Sequence, residues 1–222
     1  VQKVRTTFLL GATRTRRRSA MMGSRTKPCP PASLAPGSNA AASDNTISAG
    51  LTTVSVQSGH AELATAPVLP FGFSAGANEA SGFAARNSGR SIGLLARVPA
   101  SLVTLTSPAA LAVPTFVMQA ALDQVVNNPA TLSIFASNRA AGGLWSLVVE
   151  PGVGHSTATT IGNSTALAWL TEVLNQRLPT MPGSPLVALD ESSGWLGNQA
   201  THTIDTWAGF TGTRSAASWL PT

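Results

Sequence analysis

Three residues of this 222-residue chain have the types and spacing for joint covalent chemistry: Ser74, Asp123 and His155. Ser74 sits in Gly72-Phe73-Ser74-Ala75-Gly76, between the apolar run Pro67–Phe73 (PVLPFGF) and the Ala-rich stretch Ala75–Arg86. A strand that turns at once into a helix around Gly-x-Ser-x-Gly lifts the serine hydroxyl clear of a sheet. The flanking glycines are needed because a Cβ there would collide with the neighbouring strand or helix. The same turn sets the Ala75 backbone N–H, at the helix start, where an oxyanion forms. A serine hydroxyl is a weak nucleophile at neutral pH. It needs a base, and the base needs a carboxylate to orient it. Asp123 closes the apolar run Thr115–Leu122, and His155 closes the Gly-rich loop Pro151–His155 that follows Leu144–Val149. In an open parallel sheet, reactive groups collect at the carboxyl ends of strands, and all three residues fall at such ends. Each alone has a plainer reading: a turn serine, a solvent-exposed histidine, and an Asp123 that caps the helix from Pro129. Their joint placement carries the catalytic reading. The rivals fit less well. Glu150 shares a strand end with His155, Asp190 and Asp205 come after it, and His60 and His202 lack a strand end beside them.

The elements that must position these residues follow from periodicity. Ala75–Arg86, Pro129–Ala141 and Ser164–Leu178 read as helices, the last with Leu167, Leu170, Val173 and Leu174 on one face and Pro179 and Pro182 beyond its end. Between them lie continuous apolar runs at 67–73, 94–103, 115–122 and 144–149. Residues 47–63 suit a weak helix, although Val54 and Val56 would serve a strand equally. Apolar strands alternating with helices predict an α/β fold, a mostly parallel sheet covered on both faces. The chain divides into a basic, Pro/Ser/Ala-rich segment (1–46) expected to be disordered, a core (47–182) and a C-terminal extension (183–222). That extension shows no clear period, and its Trp195, Trp207 and Trp219 are expected to pack on the core or its sheet edge.

At these residues the sequence resembles the α/β-hydrolase superfamily. LPFGFSAGA (69–77) is similar to its elbow, VPTFVMQAALDQVV (113–126) to its acid-bearing strand and VVEPGVGHS (148–156) to its histidine loop. The nearest groups are the secreted esterases and the dienelactone-hydrolase-like and polyester-depolymerase-like enzymes. The resemblance covers about 60–180 and carries over Ser74, Asp123 and His155. It implies a serine esterase working through an acyl-enzyme on a small-molecule or polymeric ester, with no cofactor and no metal. Three departures stand out. Only 73 residues precede Ser74, with no HGG-type segment for a second oxyanion donor. Gln119-Ala120-Ala121 stands where a glycine often precedes the acid, and about 40 residues extend past the usual end. The N-terminal half of the sheet is therefore expected to be incomplete, with TFLLGA (7–12) as its only candidate strand.

Charge narrows the alternatives. Residues 1–27 hold eight of the fourteen basic residues and no acid, so the remainder carries six basic and nine acidic groups, a formal net of −3. A run such as Arg14–Arg18 is ordinarily a solvated tail. An anion- or nucleic-acid-binding arm is the alternative, and an inactive protein on a truncated hydrolase fold is another. Nucleic acid is not an expected partner of the body. Cys29 is the single cysteine, which rules out an intrachain disulfide and a multi-cysteine zinc site. No apolar run reaches the ~18 residues of a membrane span. The low charge content and abundant Ser, Thr and Ala fit an exported or cell-envelope protein, though no signal peptide is legible. Oligomeric state stays open.

Overall fold

The computed structural model describes residues 8–12, 38–157 and 159–222. The Arg14–Arg18 cluster and the Pro-rich run at 28–31 lie outside them. Five strands, β1 (Phe8–Ala12), β2 (Val68–Phe73), β3 (Leu94–Arg97), β4 (Thr115–Ala120) and β5 (Trp145–Glu150), form one sheet in chain order. Every neighbouring pair is parallel. Helices α1 (Ser38–Ser58), α2 (Ala75–Arg86), α3 (Pro108–Leu111), α4 (Asn128–Ala140) and α5 (Thr160–Arg177) fill the crossovers and the C-terminal flank. The fold class is α/β, as the alternation of apolar runs and helices predicts.

Side-chain alternation assigns the faces. Leu94, Ala96, Val117, Trp145 and Leu147 point to one side and pack with Ala77, Ala80 and Ala84 of α2 and Phe135 of α4. Phe116, Met118, Leu95 and Val148 point to the other and meet Trp169 and Val173 of α5. β4 is buried along its whole length, which is why it reads as a continuous apolar run. On α5 the buried stripe runs through Ala166, Trp169, Leu170, Val173 and Leu174. Leu167, expected on that stripe, is 63% exposed. One residue on a helix turns the side chain by about 100°, so Trp169 claims the core side and Leu167 the solvent side.

The candidate strand at 7–12 is β1, and the weak helix expected over 47–63 is α1, which begins earlier, inside the segment 1–46 expected to be disordered. β1 pairs with β2 in register from Phe8 opposite Val68 to Ala12 opposite Gly72. α1 starts at Ser38 and packs Leu51 against Val68 and Phe83. Arg86 donates two hydrogen bonds to Asp44, which fixes α1 to α2.

The C-terminal residues form a second, antiparallel sheet of β6 (Trp195–Asn198), β7 (Thr203–Thr206) and β8 (Ser218–Leu220), in the order β7-β6-β8. β8 lies along β5, the edge strand of the large sheet. Leu147 N–H donates to Ser218 Oγ at 3.1 Å, and Ser146 Oγ donates to the Trp219 carbonyl. Trp169 Nε1 donates in turn to Ser146 Oγ. An open sheet edge invites pairing with other chains, and β8 covers this one. The three tryptophans do not behave alike. Trp219 is fully buried, Trp207 is half-buried under the Arg214 guanidinium, and Trp195 is 44% exposed, contrary to the expected packing.

Candidate active site

The turn after β2 is sharp. Ser74 takes φ 54° and ψ −122°, a region that residues with a Cβ rarely occupy. A Cβ at Gly72 would overlap the Ala77 Cα and the Gly76 carbonyl. The turn is held from β3: Ser74 N–H donates to the Arg97 carbonyl at 3.0 Å, and the Ser74 carbonyl accepts from Ala77 and Ala100. Ser74 stands at the N-cap of α2, yet its hydroxyl caps nothing. It is left free to face outward. Ala75 is the first residue of α2, so its N–H has no acceptor within the helix.

Asp123 follows β4 in a tight turn. Its side chain is fully buried, and Oδ1 accepts from the N–H groups of Val125 (2.8 Å) and Val126 (3.2 Å). The helix cap that Asp123 could have supplied comes instead from Asn127, whose Oδ1 accepts from Ala130 N–H. Oδ2 of Asp123 lies 2.7 Å from His155 Nδ1, and His155 Nε2 lies 3.0 Å from Ser74 Oγ. The three residues expected to act together thus form one hydrogen-bond chain, drawn from the ends of β2, β4 and β5. Burial pushes the Asp123 carboxyl up. The His155 hydrogen bond and the Val125 and Val126 N–H groups outweigh it and hold it below the ordinary aspartate value. An ionised carboxylate only accepts, so it draws the proton to Nδ1 and leaves the Nε2 lone pair facing the serine hydroxyl.

Backbone hydrogen bonds explain why Asp123 and His155 meet. Ala121 N–H donates to the Glu150 carbonyl and Leu122 N–H to the Val153 carbonyl, so the acid turn and the histidine loop are stitched together. Beneath them Val98, Ala120 and Val153 make a small buried apolar cluster. The Phe73 ring stands 5.2 Å from the His155 imidazole and is 38% exposed, an apolar wall beside the reactive atoms.

The rival groups are engaged elsewhere. The Glu150 carboxylate accepts from Arg97 at 3.4 Å and from the Thr159 hydroxyl. Asp190 accepts from Ser192 and Ser193, Asp205 from Thr206, and His60 pairs with Glu62 at the surface. Arg97 escaped the sequence reading because it falls inside the apolar run Leu94–Val103. A lone cation closing a short strand beside the elbow was the available signal.

The structure is thus an α/β fold, a parallel sheet covered by helices on both faces, with Ser74 at a strand-to-helix turn and Asp123 and His155 after later strands, in the chain order Ser, Asp, His. No protein-family model and no curated protein matches the sequence. Among solved structures the chain is similar to esterase PE8, with 25% identity and a TM-score of 0.46 over 61% of this chain and 62% of that one. It is also similar to TT1662 from Thermus thermophilus (22% identity, TM-score 0.46, 70% and 74% covered). A third similar structure is Atu2452, of unknown function, from Agrobacterium tumefaciens str. C58 (17% identity, TM-score 0.42, 59% and 63% covered).

Proposed function

We propose that the protein is a serine hydrolase that cleaves carboxylic esters through an acyl-enzyme. The observation that carries this reading is the unbroken chain Asp123–His155–Ser74, with contacts of 2.7 and 3.0 Å across 32 and 81 residues of sequence. An imidazole oriented by a buried carboxylate and facing a hydroxyl that caps nothing is an arrangement suited to making a nucleophile.

In this mechanism Ser74 Oγ attacks the ester carbonyl carbon while His155 Nε2 takes the hydroxyl proton. The carbonyl π bond opens to an oxyanion, toward which Ala75 N–H donates with the positive end of the α2 dipole behind it. The imidazolium, stabilised by Asp123, passes its proton to the departing alkoxide, which leaves as the alcohol. Water then attacks the acyl-enzyme, giving its proton to the same nitrogen, and the carboxylic acid departs as Ser74 recovers its hydrogen. Every step uses side chains and backbone of this chain. The exposed Phe73 beside His155 favours an apolar acyl or alcohol group at the entrance.

Replacement of Ser74 by Ala is expected to lower turnover of a p-nitrophenyl short-chain ester by on the order of 10⁴-fold or more. It is also expected to abolish labelling by a fluorophosphonate. Ester hydrolysis or labelling that persists in Ser74→Ala would remove Ser74 from the role.

A further inference from the structure

We propose that Arg97 and Glu150, two residues outside the Ser–Asp–His chain, form a buried strut that positions His155. The proposal rests on the hydrolase reading above and adds residues to the same site. His155 sits on a loop that leaves β5 at Glu150 and enters α5 at Thr160. The loop contains Gly152, in the left-handed region at φ 70°, and Gly154, so its own backbone is permissive. Its middle is tied to the Asp123 turn through Val153 and His155, and its two ends both meet at Arg97.

Arg97 closes β3, which lies between the serine strand β2 and the acid strand β4. Its carbonyl accepts the Ser74 N–H. Its guanidinium reaches the other way: NH2 donates to the Glu150 carboxylate (3.4 Å) and to the Thr157 carbonyl (2.5 Å), and NH1 donates to Asn163 Oδ1 (3.2 Å). One residue therefore joins the nucleophile turn to the beginning and the end of the histidine loop. The Glu150 carboxylate is also held from the far side. The Thr159 hydroxyl donates to it, and Thr159 Oγ1 accepts from Gly162 N–H at 2.9 Å, capping α5. Gly162 lies flat on that carboxylate, and a Cβ there would overlap Glu150 Oε1 and Cδ. The Arg97 and Glu150 side chains are only 11% and 6% exposed, so the pair is little screened. Val98, the next residue, takes φ 37°, which turns the chain so that its side chain plugs the space under Val153 two residues before His155. A rigid polar tie and an apolar plug thus fix a loop whose glycines would otherwise let the imidazole wander. Misplacement of a catalytic group by about 1 Å costs about 10²-fold in rate.

The test uses the full chain carrying Arg97→Ala, Arg97→Lys, Glu150→Gln or the Arg97→Ala/Glu150→Gln pair. The readouts are kcat and KM for a p-nitrophenyl ester, thermal melting, and the low-field proton resonance of the His155 Nδ1–H shared with Asp123. Arg97→Ala and Glu150→Gln should each lower kcat about 10- to 100-fold with KM within about threefold, and should broaden or shift the resonance. The pair should be no worse than its weaker member, because the two act as one tie. Arg97→Lys keeps charge and stem but loses the fork, and should fall between wild type and Arg97→Ala while melting near wild type. If Arg97→Ala does not fold, Arg97→Lys and Glu150→Gln decide. Folded variants with wild-type kcat and an unchanged resonance overturn the proposal. If the wild type itself neither hydrolyses esters nor takes a fluorophosphonate, the hydrolase reading fails. The His155 resonance still reports whether the strut holds the imidazole.

Discussion

Ser74 holds a backbone conformation that a residue with a Cβ adopts only at a cost of about 1–3 kcal/mol. Ser74→Gly should therefore be more stable than Ser74→Ala by about 1 kcal/mol, because both lack the hydroxyl, only glycine relaxes at that backbone angle, and glycine is the better N-cap of the two. Urea unfolding of the two variants measures it, and an alanine variant equal or superior would show the turn to be unstrained. Asp123 supplies a second expectation. Its carboxyl is held below the ordinary value, so ionisation stabilises the fold at all pH above the unfolded value and is lost as pH falls through the folded one. The difference in unfolding free energy between wild type and Asp123→Asn should be level from about pH 5 upward and shrink below about pH 4. A difference that grows on acidification would contradict it. At this scale the meeting of Ser74, Asp123 and His155 was legible because scarce types are involved: three histidines and nine acids leave few ways to pair an imidazole with a carboxylate beside a serine. Arg97 and Glu150 were not legible as partners. Their contact joins residues 53 apart in sequence and depends on β5 running two residues past the level of Arg97, which no local spacing encodes.

Elements were legible where one period dominates. The helix over Ala75–Arg86 has the expected bounds, since the elbow dictates its start and Asn87 its end. The run from Leu94 to Val103 becomes strand only through Arg97, because Val98 reverses the backbone and the rest passes over the helices as loop. α5 begins at Thr160, four residues before the expected start at Ser164, because the Thr159 cap and not the apolar stripe decides the start. The extension at 183–222 resisted reading for a different reason. Its strands are three or four residues long, too short to show an alternation, and their partners lie on both sides of a strip held by β5. Buried Arg139 supplies much of that hold, donating to the carbonyls of Ala217, Gly143 and Arg214 and to the Glu191 carboxylate. The Trp219 indole fills the joint and donates to the Glu191 carbonyl at 3.2 Å. Trp219→Ala should therefore cost about 3–5 kcal/mol, read as a lowered urea midpoint. A loss under about 1 kcal/mol would mean that the small sheet merely rests on β5.

At the scale of the whole molecule, eight of the fourteen basic residues fall before residue 28 in the sequence, whereas Ser74, Asp123 and His155 belong to a remainder of net charge −3. The separation along the chain matters more than the charge. The hydroxyl, carboxylate and imidazole come from the ends of three strands of one sheet, and the imidazole closes on a hydroxyl 81 positions earlier in the chain. No fragment holding two of the three can assemble the third. Any reagent that scores the nucleophilicity of this serine is consequently also a gauge of how many molecules in a sample have their sheet intact, and a slowly reacting preparation can be a misfolded one with sound chemistry.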